Sequence, residues 1–581
     1  MIIITLGILL QLPIFIGIGL LLPWSPIKRQ FSFESLLLCF FSGWGAAVAF
    51  LQIWHLLIKV DAIPLLFLII AAGVGWYSTR RECLVFWQSL NLRMSFWLIG
   101  LAVLPAFVLA NHVMFAEPTV DLGLYHMQTV KWIEQFAIVP GLGNLHHRLA
   151  FNNASLLVAA VLDINFLNLS AYYLINTTII YVMILLCGTA FYNLFRRESE
   201  PTMPDLFYAL LLPVIIWQSG TGFLAGYTPD FLIFSLEIIL TGEFLRLFVK
   251  RPEQPEFNST AANLVCLVAL GLTVKLSFAC FGVLLVAAIF LLQGNLFGFS
   301  QRRQIRTWSS WVGLLAIWVI PWMVRSVILS GYPFFPSTLL SLPFPWRMPD
   351  YLAKPVQGVI TYWARTRSET IAYSADWKWF LAWFERFVYE AKWAFLLSMA
   401  LAVINAVFVL VFYKKLENQS KQSAELGLAV ASGISFVGIL YWFFLAPEYR
   451  FSGALFWILL ICQALLAFSY LWRAGFIPRS VSAAAALVFL FTLWLSPYQF
   501  SRNISIGWLV MPPSVEQAVS QYRGDKTIFQ QTTNSGLNVN LPLEAEGCWD
   551  APLPCAPYKD FNPKLALLEP GNLQKGFYME K

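Results

Sequence analysis

Two carboxylates that could do acid–base chemistry lie at the edges of apolar segments. Asp121 is part of VDLGLYHMQ in a polar loop, and Asp230 closes GTGFLAGYTPD just before the apolar run FLIFSLEII. A carboxylate at the rim of a membrane cavity can act as a general base on an acceptor hydroxyl or amine. Aspartate is also a preferred helix N-cap, so a structural role stays open for both. Glu237 lies about two helical turns beyond Asp230 on the same face, either as a functional group or as a partnered structural carboxylate.

Most of the histidines are concentrated in the same polar loop, residues 111–150. His126 is close enough to Asp121 in sequence to orient it or to contact a ligand. His146 and His147 are adjacent, so on a helix they cannot face the same way. Together with Asp121 or His126 they could hold a divalent ion, but the spacings H-x-x-x-H and H-E-x-x-H are absent from the sequence. We therefore predict that His126, His146 and His147 bind substrate, and we assign no metal ligand.

Basic residues at the ends of apolar segments could bind an anionic substrate. Arginine binds phosphate through a planar fork of donors. Arg450, two residues after Glu448 in APEYRFSG, is the strongest phosphate candidate. Its structural alternatives are an ion pair with Glu448 and the anchoring of a lipid headgroup. Arg325 in WMVRSVILSGYPFFP and Lys275 in GLTVKLSF complete the predicted substrate-binding set, which also includes Glu448.

The composition indicates that the elements which position these residues are membrane helices. Of 581 residues, 59% are hydrophobic and 12% are charged, whereas a soluble domain carries about 25% charge. The net charge is +7, but the basic residues form short clusters between apolar segments, which is typical of membrane orientation rather than of nucleic-acid binding. The sequence contains no P-loop or G-x-G-x-x-G motif, so it predicts neither ATP-driven transport by this chain alone nor a nucleotide cofactor.

The sequence predicts an all-α polytopic membrane protein with about fourteen spans, since a spanning helix needs roughly 20 apolar residues. The predicted spans are residues 2–22, 33–58, 63–77, 95–110, 171–195, 206–218, 231–248, 261–273, 278–292, 308–329, 393–412, 427–445, 451–470 and 481–495.

Alternating positive charge predicts which connections share one side of the membrane. By the positive-inside rule, the 111–150 loop, a second loop at 331–391 and the tail from 497 onwards are external. We predict three regions: additional N-terminal helices in residues 1–94, a core in residues 95–496 and an external appendage in residues 497–581. If that appendage is outside the cytoplasm, Cys548 and Cys555 are expected to form a disulfide.

This layout resembles the GT-C class of integral-membrane glycosyltransferases. In that class an acidic residue of the first long external loop is the presumed base, which Asp121 in VDLGLYH matches. A second acidic residue near proline at the start of a later helix is similar to Asp230 in YTPDFLIF. The segments 325–336 and 448–451 look like rim segments that contact the lipid phosphate and the sugar. The resemblance covers roughly residues 95–496, and it departs from the class in its extra N-terminal helices and in having Asp-Leu where an Asp-Glu doublet is frequent.

The resemblance implies an inverting glycosyltransferase of the bacterial inner membrane. Its donor would be a polyprenyl-phosphate-linked sugar and its surroundings membrane lipid, while the acceptor stays open and no cofactor is expected. Asp121 would deprotonate the acceptor, with Asp230 as the second catalytic carboxylate, and arginines such as Arg450 would hold the leaving phosphate. One alternative is a transporter or flippase of a lipid-linked or anionic envelope precursor. Transporters usually place polar groups near the bilayer midplane, so clustering at one rim favours the enzyme. A non-catalytic subunit of envelope polysaccharide assembly is the third hypothesis.

Overall fold

The fold is predominantly helical. A computed structural model describes residues 1–89, 92–163, 168–194, 202–220, 224–249, 253–297, 302–367, 377–391, 400, 403–405, 407, 423–473, 506–520, 522, 527–543, 547–557 and 560–580. The α-helices within this part, in chain order, are α1 Ile2–Leu21, α2 Phe33–Leu57, α3 Ala62–Ser78, α4 Arg80–Ser89, α5 Leu92–Val113, α6 Met127–Gln135, α7 Leu142–Leu145, α8 Leu156–Leu162, α9 Ala171–Asn193, α10 Met203–Ser219, α11 Asp230–Val249, α12 Gln254–Val274, α13 Ala279–Phe297, α14 Arg302–Ser330, α15 Asp350–Thr366, α16 Trp379–Ala391, α17 Ser423–Leu445, α18 Leu455–Arg473 and α19 Val515–Val519.

Nearly all of the predicted spans are confirmed as helices, but fewer of them have the length and apolarity of a membrane span. Seven helices of the described part meet both conditions, or up to eight if the helices α3 and α4, bent by 64°, form one span. Three apolar stretches of helix in the described part are shorter, namely Ala102–Val113 of α5, the whole of α10 and Leu455–Tyr470 of α18. Charged side chains interrupt the apolar run of α11, among them Glu237, Glu243 and Arg246. Of the predicted span 393–412 only residues 400, 403–405 and 407 are described, and the predicted span 481–495 lies outside the described residues.

The N-terminal helices cross at glycines. A Cβ atom added to Gly19 of α1 would lie 2.1 Å from the carbonyl oxygen of Cys39 in α2. One added to Gly75 of α3 would lie 1.8 Å from the carbonyl oxygen of Gly17. Lipid supplies no hydrophobic drive for helix association, so close backbone approach at small residues provides the packing energy instead. The helix α1 is thereby held between α2 and α3.

Polar connections collect at one end of the bundle. The amino group of Met1 donates to the carbonyl of Trp508 at 2.7 Å, and His55, near the end of α2, contacts the carbonyl of Phe136 at 3.1 Å. The 20 residues of α1 separate this end by about 30 Å from Arg29, which pairs with Glu243. The N-terminus, the 111–150 loop and the C-terminal segment therefore share one end.

The C-terminal segment, residues 506–580, contains strands, which were not predicted from the sequence of the appendage. Two antiparallel pairs form, β1 (Ile528–Thr532) with β2 (Asn538–Pro542) and β3 (Leu565–Leu567) with β4 (Phe577–Met579). Cys548 and Cys555 form the expected disulfide. The prolines and turn residues of this segment disfavour helix, and paired strands satisfy its backbone instead.

The C-terminal segment packs onto the 111–150 loop rather than standing apart as an appendage. The backbone N–H of Trp549 donates to the carbonyl of Gly123 at 2.8 Å. The side-chain amide of Gln128 donates to the carbonyls of Trp549 and Ala551 at 3.0 and 2.9 Å. The ring of Trp549 covers the face of Gly123, where a Cβ would lie 2.2 Å from it. The glycine is therefore required by a close approach between the two segments.

We predict that Gly123→Ala weakens the docking of the C-terminal segment. The added methyl group overlaps the ring of Trp549, and such overpacking costs about 1–3 kcal/mol. Limited proteolysis of the detergent-solubilised protein should release the segment faster, and the melting temperature should fall. Gly73→Ala is the matched control, because among the described residues a Cβ there would meet no atom within 4 Å. Equal protease resistance of the two variants would contradict the packing described here.

Candidate functional site

Asp121 begins an unusual turn of the 111–150 loop. Residues Leu122–His126 form a π-helical turn that runs directly into α6, with the N–H of Met127 bonded to the carbonyl of Leu122. Such turns are rare and are frequent at functional sites. The carboxylate of Asp121 caps no helix in the described residues, so the N-cap interpretation is wrong for this residue. Both carboxylate oxygens of Asp121 are therefore available to pair with cations at this end of the bundle.

Asp121 and Asp230 converge on one arginine. The Nη1 atom of Arg450 lies 2.7 Å from Oδ2 of Asp121 and 3.9 Å from Oδ2 of Asp230. Arg148 donates from Nη1 to Oδ1 of Asp121 at 3.0 Å, and Lys275 forms an ion pair with Asp230. We refer to these five residues as the aspartate–cation cluster. It joins two carboxylates and three cations from four separate elements of the chain.

The cluster is partly shielded from solvent. The side chains of Asp121 and Asp230 are 15% and 13% exposed, and those of the three cations range from 17% for Arg450 to 28% for Arg148. Shielded charges interact more strongly than charges in water, because the effective dielectric is lower. The cluster is therefore shielded enough to bind an anion strongly and still exposed enough for the anion to reach it.

Asp230 occupies the start of α11 with its carboxylate turned to the cations. The hydroxyl of Thr228 donates to Oδ2 of Asp230 at 2.9 Å, and Thr228 Oγ1 also accepts from the Asp230 N–H at 3.4 Å. The threonine thus takes over the capping function that the sequence offers to the aspartate. The remaining oxygen, Oδ1, pairs with Lys275, which lies between α12 and the short turn Leu276–Phe278.

Glu237 holds the turn that carries Arg450. The turn Tyr449–Ser452 connects α17 to α18, and Glu237 Oε2 accepts from the N–H of Ala454 at 2.5 Å, at the start of α18. Gly453 has a φ of +55°, and a Cβ there would lie 2.2 Å from the same oxygen. These contacts favour the structural interpretation of Glu237. It anchors the turn, and the turn directs Arg450 at the aspartates.

Aromatic rings flank the cations. The guanidinium of Arg450 lies 5.2 Å from the ring centroid of Trp363 and 5.1 Å from that of Phe451. Lys275 Nζ lies 4.3 Å from the centroid of Phe451. Cation–π contacts at these distances fix the cations in place. Since Trp363 belongs to α15, the 331–391 loop also contributes to the site.

The charges of the cluster decide which groups are ionised. Burial alone would raise the pKa of Asp121, but the positive charge of Arg450, with that of Arg148, outweighs burial and holds this pKa below its ordinary value. Burial lowers the pKa of His126 to about 4, so its imidazole is neutral near pH 7. His126 is 2% exposed, and its Nδ1 finds no hydrogen-bond partner within the described ranges. Asp121 is therefore charged near pH 7 and the neighbouring His126 is neutral, so the carboxylate of Asp121 can accept a proton.

His146 and His147 face Asp560 of the C-terminal segment. His146 Nε2 is 3.3 Å from Oδ2 of Asp560, and His147 Nδ1 is 3.9 Å from Oδ1 of the same residue. The two adjacent histidines face the same carboxylate because they do not lie on one helix. The backbone is extended at His146, with φ −155° and ψ 123°, between α7 and the turn His147–Ala150, so helical geometry does not separate the two rings.

Two other predicted binding residues make different contacts. Arg325 is buried, with Nη1 2.6 Å from Nδ1 of His55 and Nε 3.2 Å from the side-chain oxygen of Asn152. Glu448 pairs with Arg367 at 2.5 Å and with Arg386 at 3.5 Å. Among the described residues Glu448 does not pair with Arg450, so that structural alternative for Arg450 is wrong. Neither Arg325 nor Glu448 belongs to the aspartate–cation cluster.

Sequence reasoning missed Arg148, Trp363 and Asp560. A carboxylate predicted at a shielded rim needs a cation nearby. Arg148, which directly follows the two histidines in the same loop, could have been predicted as that cation. Trp363 and Asp560 gave no such signal, because their contacts depend on how distant segments pack.

The lowered pKa of Asp121 makes a pH-dependent prediction about stability. The folded chain keeps this carboxylate charged at a lower pH than the unfolded chain, whose ordinary pKa is 3.8. Its contribution is therefore complete above that value and is lost as the pH falls through the lowered folded-state pKa. Asp121→Asn should lower stability by about 1–3 kcal/mol near neutral pH, because it removes the charged partner of Arg148 and the nearer of the two carboxylates that face Arg450.

Thermal unfolding in detergent between about pH 7 and about pH 3 measures this effect. The gap between wild type and Asp121→Asn should be widest near neutrality and should narrow below about pH 4. Asp550→Asn, which removes the 54%-exposed partner of Lys131, serves as the control and should shift the midpoint little. A gap that stays constant with pH would contradict the pairing.

Comparison with known proteins places the chain in a family. No curated protein and no solved structure matches it. A family model described as "Domain of unknown function (DUF8201)" matches residues 1–457, a stretch that includes Asp121, Asp230 and Arg450 and ends before the C-terminal segment. The chain therefore belongs to the DUF8201 family.

Proposed function

We propose that this protein is an inverting glycosyltransferase that uses a polyprenyl-phosphate-linked sugar as donor. The observation that carries the proposal is the placement of Arg450 between Asp121 and Asp230. A transferase of this kind needs a base for the acceptor and fixed cations for the departing phosphate, a few ångströms apart. The aspartate–cation cluster supplies both kinds of group at one end of a helical bundle.

The donor phosphate would compete with the carboxylates for the cations. Arginine forks and lysine bind phosphate oxygens strongly, and phosphate can take the places now filled by Asp121 and Asp230. Once Arg450 and Arg148 face the phosphate, Asp121 loses the charges that depress its pKa and becomes a better proton acceptor. The cluster would then reach its catalytic arrangement only with donor bound.

The chemical step follows from this arrangement. The acceptor oxygen or nitrogen attacks the anomeric carbon from the face opposite the phosphate, and Asp121 takes the acceptor proton. The bond between the anomeric carbon and the phosphate oxygen breaks, and its electron pair leaves with the polyprenyl phosphate. Arg450 and Lys275 stabilise the negative charge that develops on the leaving phosphate. Their interaction with the phosphate is therefore strongest in the transition state. Before the donor binds, Asp230 pairs with Lys275 and Arg450 and so positions these cations for the phosphate.

Exposed apolar side chains of the 331–391 loop suit a lipid-linked donor. Leu339 and Leu340 of the 331–391 loop are each 71% exposed, as is Leu381 of α16. Exposed apolar side chains beside a charged rim are typical of a membrane interface. We place the protein in the bacterial inner membrane, with about fourteen spans and with the cluster, both long loops and the C-terminal segment external. The clusters of basic residues at the opposite end support that orientation.

Replacement of either aspartate tests the proposal. Asp121→Asn should reduce sugar transfer by about 100- to 10,000-fold, which is the contribution of a general base, and Asp230→Asn should reduce it through the loss of cation positioning. The assay uses proteoliposomes, a panel of polyprenyl-phosphate-linked hexoses and pentoses, and a bacterial envelope extract as the source of acceptor. It measures the release of free polyprenyl phosphate. Asp350→Asn, an exposed carboxylate paired with Lys354, should retain full activity.

The same assay separates the proposal from transport. A transporter or flippase would move the labelled lipid or its headgroup across the bilayer without releasing polyprenyl phosphate. Translocation of the donor without its cleavage would therefore contradict the glycosyltransferase proposal and favour the transporter hypothesis. If the protein neither cleaves nor translocates the donor, and both aspartate variants behave as wild type does, the hypothesis of a non-catalytic assembly subunit is favoured.

A second prediction concerns the fork of Arg450. Arg450→Lys keeps the charge and so limits damage to folding, but it loses the bidentate geometry that suits a phosphate. We expect kcat to fall by about 100-fold, since the lost interaction is strongest in the transition state, while KM for the donor changes less. Arg347→Lys is the control, because Arg347 pairs with the exposed Asp350. A loss confined to KM would show that Arg450 binds the ground state only.

A further inference from the structure

His146, His147 and Asp560 form a cluster outside the catalytic proposal. Taking one nitrogen from each histidine and one carboxylate oxygen, all three ligand-type atoms lie within 4.8 Å of one another. The rings of the two histidines are edge to face, with centroids 4.8 Å apart. Imidazole nitrogen and carboxylate oxygen are both ligands of divalent zinc and related transition metals.

A second observation points to a ligand at this place. His146 is 3% exposed, and its Nε2 makes no well-oriented hydrogen bond in the part of the chain that the structure describes. A buried ring nitrogen without a hydrogen bond is costly unless something else engages it. The nitrogen points at Asp560, which is also the residue that His147 faces.

We infer that His146, His147 and Asp560 bind a divalent transition-metal ion of the zinc class. Two ligands about 2.1 Å from a tetrahedral ion are about 3.4 Å apart. The separation of 3.3 Å between His146 Nε2 and Oδ2 of Asp560 already fits this spacing, and the 3.9 Å between His147 Nδ1 and the other oxygen, Oδ1, has to shorten by rotation of these partly exposed side chains as the ion binds. Three protein ligands leave a fourth position for water or for a ligand atom.

The exposure of the three residues suits metal entry. His146 lies at the closed side of the cluster with 2% of its side chain exposed, while His147 and Asp560 are 27% and 33% exposed. The ion would thus be held from below by a fixed imidazole and reached from solvent past the other two ligands. Arg148, the next residue in the chain, is paired with Asp121, so part of its charge is already compensated.

The ion would join two parts of the chain. The histidines belong to the 111–150 loop, and Asp560 belongs to the C-terminal segment. A metal that binds only the docked arrangement stabilises docking by a free energy that grows with the logarithm of the free metal concentration once this exceeds the Kd. The inference does not depend on sugar transfer, because none of the three residues belongs to the aspartate–cation cluster.

The test measures zinc content and zinc-dependent stability of the full-length protein in detergent. After incubation with zinc and desalting, mass spectrometry of the metal content should find about one equivalent in wild type. Asp560→Asn and His147→Ala should weaken zinc binding by at least about tenfold, a loss that even outer partners of a metal ligand can cause. Zinc should also protect the C-terminal segment of wild type, but not of the variants, from proteolysis.

Asp550→Asn is the matched control, since Asp550 also joins the C-terminal segment to the 111–150 loop, through Lys131, without belonging to the histidine cluster. It should bind zinc as wild type does. Wild type without stoichiometric zinc would overturn the inference, as would zinc binding that Asp560→Asn and His147→Ala leave unchanged. Because Asp560→Asn is nearly isosteric, its monodispersity in size-exclusion chromatography separates a lost ligand from a misfolded chain.

Discussion

The requirement to pair shielded charges organises the end of the bundle that carries the candidate site. Arg450 alone would be an uncompensated cation at the rim of an apolar bundle, and so would Lys275 and Arg148. Removing a partner from such a pair is strongly destabilising. Asp121 and Asp230 therefore fix the relative positions of the 111–150 loop, the start of α11 and the Tyr449–Ser452 turn. The folded state and the site depend on the same contacts.

The C-terminal segment is a second constraint on the same loop. Trp549 and Gln128 tie it to the π-helical turn that begins after Asp121, and Phe577 donates its backbone N–H to Pro140 at 2.9 Å. The loop is thus held by ion pairs on its bundle side and by backbone hydrogen bonds on its outer side. A loop held from both sides can keep a carboxylate in one orientation without being part of a regular helix.

The sequence predicted the elements well and the contacts between them less well. Apolar length was enough to locate the helices, because each span is a local property of the chain. The rim positions of Asp121, Asp230, Lys275 and Arg450 followed from the ends of those spans. Asp560 and Trp363 could not be found in this way, since their roles depend on the packing of segments that are far apart in sequence. Local backbone geometry, not periodicity, turned His146 and His147 to the same side.

Two groups of shielded ion pairs, one at each end of the bundle, differ in their balance of charge, and this difference supports an anionic ligand only at the aspartate–cation cluster. At the end opposite the 111–150 loop, Arg29 and Arg246 are matched by Glu243 and Glu34, so the four charges of this group compensate one another. In the aspartate–cation cluster, three cations face two carboxylates, and aromatic rings line the cations. A shielded excess of positive charge is costly in the absence of an anion. An anionic ligand removes that cost, and a phosphate has the charge and the oxygen geometry to do so.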